Sequence, residues 1–143
     1  MNALVRALFG LAARLSGGGD LYRRDYDLRA GTYDLAETRP LTRRASEEFV
    51  ARAAVKPDSR CLDLGCGTGL VGEAFWKRID SLGGVDVSAE MVAQAARKGH
   101  YNHLHIADML AFLRGEGAEG ADLVIAADVL IYVAALGPLF TEV

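Results

Sequence analysis

From Arg60 to the end of the chain, short apolar runs alternate with stretches whose apolar residues return every three or four positions. The first pattern is that of buried strands and the second that of helices packed on one face. The runs predict strands at Arg60–Leu64, Leu82–Val87, His103–Ala107 and Ala121–Ala127. Between them the helical spacing predicts Leu70–Arg78, with Val71, Phe75 and Trp76 facing inward, then Ser88–Lys98 and a short Met109–Leu113. Ser88 is a good N-cap and Gly99 a good C-terminal stop. Gly115–Gly120 reads as a loop, and Gly137-Pro138 opens a last helix, since proline suits a first turn. Repeated strand–helix–strand units predict a parallel sheet with right-handed crossovers, an α/β fold. The run Leu123–Ala127 is uniformly apolar, as expected of a strand covered on both faces.

Upstream the pattern changes. Leu4, Leu8, Leu11 and Leu15 share one helical face, and Gly17-Gly18-Gly19 breaks the chain after them. Residues 1–19 are therefore expected to form an amphipathic helix and a glycine linker. The segment is too interrupted for a secretory signal; a transit peptide is the alternative. Residues 20–59 read as a helical cap preceding the sheet. They include a tyrosine- and arginine-rich stretch over 20–38 and a helix over Thr42–Ala54, ended by Lys56-Pro57-Asp58. Residues 60–143 form the α/β part.

Between the first strand and its helix stands Asp63-Leu64-Gly65-Cys66-Gly67-Thr68-Gly69. Three glycines on alternate positions let a backbone pass close to a ligand, because glycine lacks Cβ and tolerates positive φ. Dinucleotide loops space their glycines G-x-G-x-x-G to seat a pyrophosphate. Here the third glycine comes one residue early and a carboxylate precedes the loop. That argues against a nicotinamide-dependent oxidoreductase and for a ligand carrying positive charge, such as the ammonium and sulfonium of S-adenosylmethionine.

Composition narrows the partners. The net charge of −3 over 143 residues gives no basic footprint for nucleic acid. No apolar run approaches a membrane span. Cys61 and Cys66 make neither a disulfide framework nor a zinc pattern; they read as small hydrophobes in a reducing, cytoplasmic setting. His100, His103 and His105 lack the accompanying ligands of a metal site. Arg23-Arg24 and Arg43-Arg44 read as solvated charges, with Arg44 the better candidate for a substrate anion.

The glycine segment resembles motif I of the class I S-adenosylmethionine-dependent methyltransferases. Gly84-Val85-Asp86-Val87-Ser88-Ala89-Glu90-Met91 resembles that family's second strand and following helix. Ile106-Ala107-Asp108-Met109-Leu110 resembles its adenine-side acidic motif, and Ala121–Leu130 its fourth strand. The wording is most similar to small methyltransferases often fused to tetratricopeptide repeats. The resemblance implies a Rossmann-like parallel sheet of order 3-2-1-4, with amino-terminal helices, that stops after four of the usual seven strands. It implies S-adenosyl-L-methionine as cofactor and methyl transfer to an unidentified small molecule or protein. A non-catalytic cofactor-binding or scaffold fragment is the alternative. A strand-four edge left bare would favour a homodimer through that strand or through Val129–Phe140, unless the sequence is a piece of a longer chain.

The same resemblance assigns the cofactor site to Tyr33, Asp63, Gly65, Cys66, Gly67, Gly69, Asp86, Val87, Asp108, Met109 and Ala127. Asp63 would face the methionine end or organise the glycine loop; otherwise it caps its strand. Asp86, 21 positions after Gly65, is placed to take ribose hydroxyls; otherwise it is a turn acid beside Ser88. Asp108 would accept from the adenine amino group, or else cap the helix that follows. Asp128 closes strand four, where substrates meet open α/β sheets. It is the candidate catalytic residue, to orient the acceptor or take a proton. The sequence after it, Val129-Leu130-Ile131-Tyr132, is not the Asn/Asp-Pro-Pro-Tyr/Phe signature of enzymes that methylate amino groups of DNA and proteins.

Overall fold

The computed structural model of the protein describes residues 19–35, 39–53, 55–115, 120–133 and 135–143. The amphipathic helix expected over the first residues, and most of the loop after Gly115, lie outside them.

Four strands, β1 (Arg60–Leu64), β2 (Ser81–Asp86), β3 (His103–Ile106) and β4 (Leu123–Ile125), form one parallel sheet of order β3-β2-β1-β4. Helix α1 (Gly19–Tyr33) and α2 (Arg39–Arg52) precede it; α3 (Leu70–Phe75), α4 (Ala89–Lys98) and α5 (Met109–Gly115) are the crossovers; a 3-10 turn (Leu130–Tyr132) and α6 (Leu136–Glu142) follow. Strand alternation divides the core. Cys61 and Leu82 point to a layer with Val50, Phe75 and Ile125. Leu62, Leu64 and Val85 point to the opposite layer with Leu113 and Leu139. The expected 3-2-1-4 Rossmann-like order is therefore the observed one, because each crossover helix had a sheet face to cover.

Helix α4 forms where the sequence placed it. The Ser88 hydroxyl accepts from the amide of Met91 at 3.1 Å, Gly99 ends the helix in the left-handed region, and Met91, Val92 and Ala95 are buried. Helix α3 is shorter than its pattern suggested. It stops at Phe75, and the amide of Arg78 closes a tight turn on the Phe75 carbonyl at 2.8 Å. That turn carries Trp76 outward. The expected inward tryptophan is 41% exposed and stacks on His100, while Phe75 is fully buried.

Strand β4 spans three residues rather than seven. It pairs only with β1, only Ile125 is deeply buried, and Ala127 is exposed. The expectation of a strand covered throughout is corrected: the chain leaves the sheet at Ala126 and turns at Asp128. Its start is fixed by Asp122, whose carboxylate accepts from the Arg60 amide at 2.8 Å while its own amide donates to the Arg60 carbonyl at 2.7 Å. Gly19, assigned to a linker by its neighbours, is the first residue of α1. Among the described residues, no helix is long and apolar enough to cross a membrane.

Candidate functional site

The carboxyl ends of the strands open into a cavity of about 650 Å³, within the range of small-molecule and cofactor sites. Its floor is the glycine loop. Gly65, Gly67 and Gly69 take φ values of 70°, 54° and 85°, a region where an ordinary side chain is strained. The loop is tied to β2: the amides of Gly65 and Cys66 both donate to the Val85 carbonyl, at 2.8 and 3.1 Å. A Cβ on Gly65 would sit 2.4 Å from a methyl of Val129, so the glycine lets the segment after β4 close over the loop. A Cβ on Gly67 would meet nothing, because that glycine borders the open cavity.

Three carboxylates line the cavity in sheet order. Asp108 stands beyond β3, Asp86 at the end of β2 and Asp128 beyond β4. Asp86 accepts from the amide of Gly67 and from that of Ser88, each at 2.9 Å. Burial pushes its pKa up, and those two amides oppose the rise by favouring the anion. Asp108 accepts from the amides of Leu110 and Ala111, both at 3.0 Å. It is thus the cap of α5, and its exposed carboxylate also borders the cavity. Asp128 has φ 56°, alone among the described non-glycine residues in being positive; aspartate tolerates this conformation better than most.

Helix α1 roofs the opening. Tyr22, Tyr26 and Tyr33 recur at spacings of one and two helical turns and all face the cavity. Tyr132 meets them from the far side, its ring 5.0 Å from Tyr22 and 5.7 Å edge-on to Tyr26. Two acids of the same segment latch the roof down. Asp27 accepts from the Ser88 hydroxyl at 2.5 Å. Asp34 accepts from Thr68 of the glycine loop at 2.5 Å and pairs with Lys98 at 2.6 Å, which also holds Glu73 at 2.8 Å.

Of the residues assigned from sequence, Tyr33, Gly65, Gly67, Asp86, Val87, Asp108, Met109, Ala127 and Asp128 line the one cavity. Asp63, Cys66 and Gly69 do not. Asp63 is buried beneath the loop on the core side. It accepts from the Tyr101 hydroxyl at 2.8 Å and from no loop amide, so neither the ligand-facing nor the loop-organising role describes its contacts. Its other oxygen has no partner among the described residues, and burial pushes its pKa up to about 7. Cys66 is a buried thiol whose pKa burial also raises, the reverse of a reactive thiolate. Gly69 lies against Tyr101 and Ala95, where an added Cβ would stand 3.0 and 3.3 Å from their side chains. Arg44 is exposed and pairs with Glu48 at 3.4 Å, outside the cavity. Sequence reasoning passed over Tyr22, Tyr26 and Tyr132. The first two carried a signal in their spacing with Tyr33, but Tyr132 had none.

The methyltransferase domain family model matches residues 61–143. No curated protein matches the chain. Among solved structures, the DhpI complex with SAH is 28% identical, with a TM-score of 0.55, over 66% of this chain and 47% of that one. CalS10 from Micromonospora echinaspora, an amino pentose methyltransferase solved with bound SAM, is 25% identical with a TM-score of 0.54, over 71% and 43%. Magnesium protoporphyrin IX methyltransferase from Synechocystis PCC 6803, solved with bound SAH, shares the fold at 20% identity and a TM-score of 0.66, over 87% and 68%. The chain spans less than half the length of the first two.

Proposed function

The chain belongs to the methyltransferase domain family, and on that premise we propose that it binds S-adenosylmethionine in the cavity at the strand ends and positions an acceptor for methylation. The observation that carries this reading is Asp86, held by the Gly67 amide at the junction of β2 and the glycine loop. A carboxylate so anchored keeps lone pairs for two neighbouring hydroxyls, which is what a ribose offers. The cradle fits the cofactor in two further respects. The loop presents backbone without side chains at Gly67, where the cavity is open. None of the described residues that line the cavity is Lys, Arg or His, which suits a ligand with a sulfonium and an ammonium.

In this reading Asp86 holds the ribose. Asp108, with the Met109 backbone and the apolar edges of Ala107 and Leu110, forms the adenine end over β2 and β3. The glycine loop takes the amino-acid portion over β1, which leaves Asp128 and the tyrosine wall at the methyl end beside β4. The cofactor supplies a methyl already activated for transfer. The chain's own contribution is placement and a dry site. Alignment of nucleophile and methyl is worth about 7–11 kcal/mol of the barrier, and the roof of α1 excludes water from one side.

Titration calorimetry tests the reading. S-adenosylhomocysteine should bind and NAD should not. Binding of NAD in preference would replace this function with a redox one. Transfer of labelled methyl to any acceptor then separates an enzyme from a binding module.

A further inference from the structure

We propose that Asp128 and the tyrosines of α1 and the 3-10 turn form an ammonium-binding subsite, so that the methyl acceptor is an amine; the inference rests on the methyltransfer reading above. Bound as its ammonium, the amine loses one proton through Asp128 to solvent. The freed nitrogen lone pair bonds to the methyl as the methyl–sulfur bond breaks, and the electron pair of that bond stays on S-adenosylhomocysteine.

Four tyrosines and one carboxylate, Asp128, line this part of the cavity. Tyr26 lies edge-on to Tyr132 with ring centres 5.7 Å apart and tilts against Tyr33 at 6.2 Å. Tyr22 closes the set against Tyr132 at 5.0 Å. Electron-rich ring faces attract cations, and the attraction grows as the site loses water. Asp128 stands close enough for its charge to act on Tyr26 and Tyr33. Its carboxylate has no hydrogen bond or ion pair of its own among the described residues, although it lines the cavity.

Charge supports one class of ligand and opposes another. None of the described residues that line the cavity is Lys, Arg or His. Arg29, which reaches Tyr33 electrostatically, is already paired with Asp25 at 2.9 Å. An acceptor bearing a carboxylate or phosphate would therefore meet an anion and no cation. An ammonium would meet the carboxylate and the ring faces together. A neutral hydroxyl could donate to Asp128 but would bring no positive charge to the carboxylate or to the rings.

The test uses the full chain saturated with S-adenosylhomocysteine. Butylammonium and butyrate are titrated separately, read by saturation-transfer NMR and by tyrosine fluorescence. Butylammonium should bind and butyrate should not. Asp128→Asn keeps the left-handed turn accessible and should weaken butylammonium about tenfold or more, as loss of a charged hydrogen-bond partner does. Tyr132→Leu should weaken it several-fold by removing one ring face. S-adenosylhomocysteine affinity should stay within about twofold in both variants, because neither residue is placed at the adenosine end. Equal binding of butyrate overturns the proposal, as does unchanged butylammonium binding in both variants. Competition between butylammonium and S-adenosylhomocysteine also overturns it, by assigning the carboxylate and rings to the cofactor. Failure of S-adenosylhomocysteine to bind would instead defeat the methyltransfer reading, and the same titrations on the ligand-free chain would then decide the ammonium subsite separately.

Discussion

The amide of Gly67 donates to the carboxylate of Asp86 across 2.9 Å, so the acid that ends β2 holds the loop that leaves β1. One side chain thus sets the height of the cavity floor and lines the space above it. Replacing Asp86 by Ala should cost about 1.5–3 kcal/mol in S-adenosylhomocysteine binding, the range for hydrogen bonds to a charged group. Calorimetry measures it directly, and equal affinity in the two proteins would end the ribose assignment.

Gly67→Val is expected to remove ligand binding more than stability. The left-handed φ of 54° suits a β-branched residue poorly, and the new side chain would project into the open cavity. Circular dichroism should show a folded variant that calorimetry finds unable to bind. A folded variant with normal binding would move the cofactor site elsewhere.

Gly65→Ala should destabilise the fold itself. Its methyl would lie 2.4 Å from Val129 Cγ2 and would also take an unfavourable φ of 70°. Overpacking of this kind costs about 1–3 kcal/mol. Adding Val129→Ala should restore part of that loss by removing the two Val129 methyls, while the Val129 Cβ, 2.8 Å from the new methyl, and the backbone strain remain. Denaturant midpoints of the two singles and the double decide it, and strict additivity would show that the contact does not carry the effect.

Asp63 gives the fold a pH dependence of unusual sign. Burial raises its pKa from 3.8 to about 7, against the opposing hydrogen bond from Tyr101. Between those two values the unfolded chain has released the proton and the folded chain still holds it. Stability contributed by this group is therefore full below about pH 4 and declines until about pH 7, where the loss levels off. Asp63→Asn should flatten that slope in urea unfolding followed from pH 4 to 8. An unchanged slope would mean that Asp63 does not titrate in this range.

The strand order and the helix α4 were legible because local signals agreed. The apolar runs, the Ser88 cap and the Gly99 stop all concern residues within a few positions of one another. Trp76 was misjudged because helical spacing continues on paper past Phe75, whereas the chain closes a turn there. The role of Asp63 was hidden for a different reason: its partner Tyr101 lies 38 positions away and depends on how β2 and α4 bring that ring beneath the loop. The tyrosines of α1 shared a helical spacing, but the polar residues around them masked which face the helix covers. The left-handed turn of Asp128 is a dihedral angle, which composition does not encode.

The spacing of the strand pairs bears on how the site assembles. Cys61 pairs with Leu82 after 21 positions but with Leu123 only after 62. Threefold more chain between partners costs about 1 kcal/mol more in loop-closure entropy, and β4 adds a ladder of only three residues in return. The end of the cavity built on β1, β2 and β3 should therefore form before the end that carries Asp128. Opening should run in the reverse order. Native-state hydrogen exchange should find the amides of Leu123–Ile125 less protected than those of Leu82–Val85, and the opposite ranking would refute this order. The half of the cavity that carries Asp128 would then be the last to form and the first to let go.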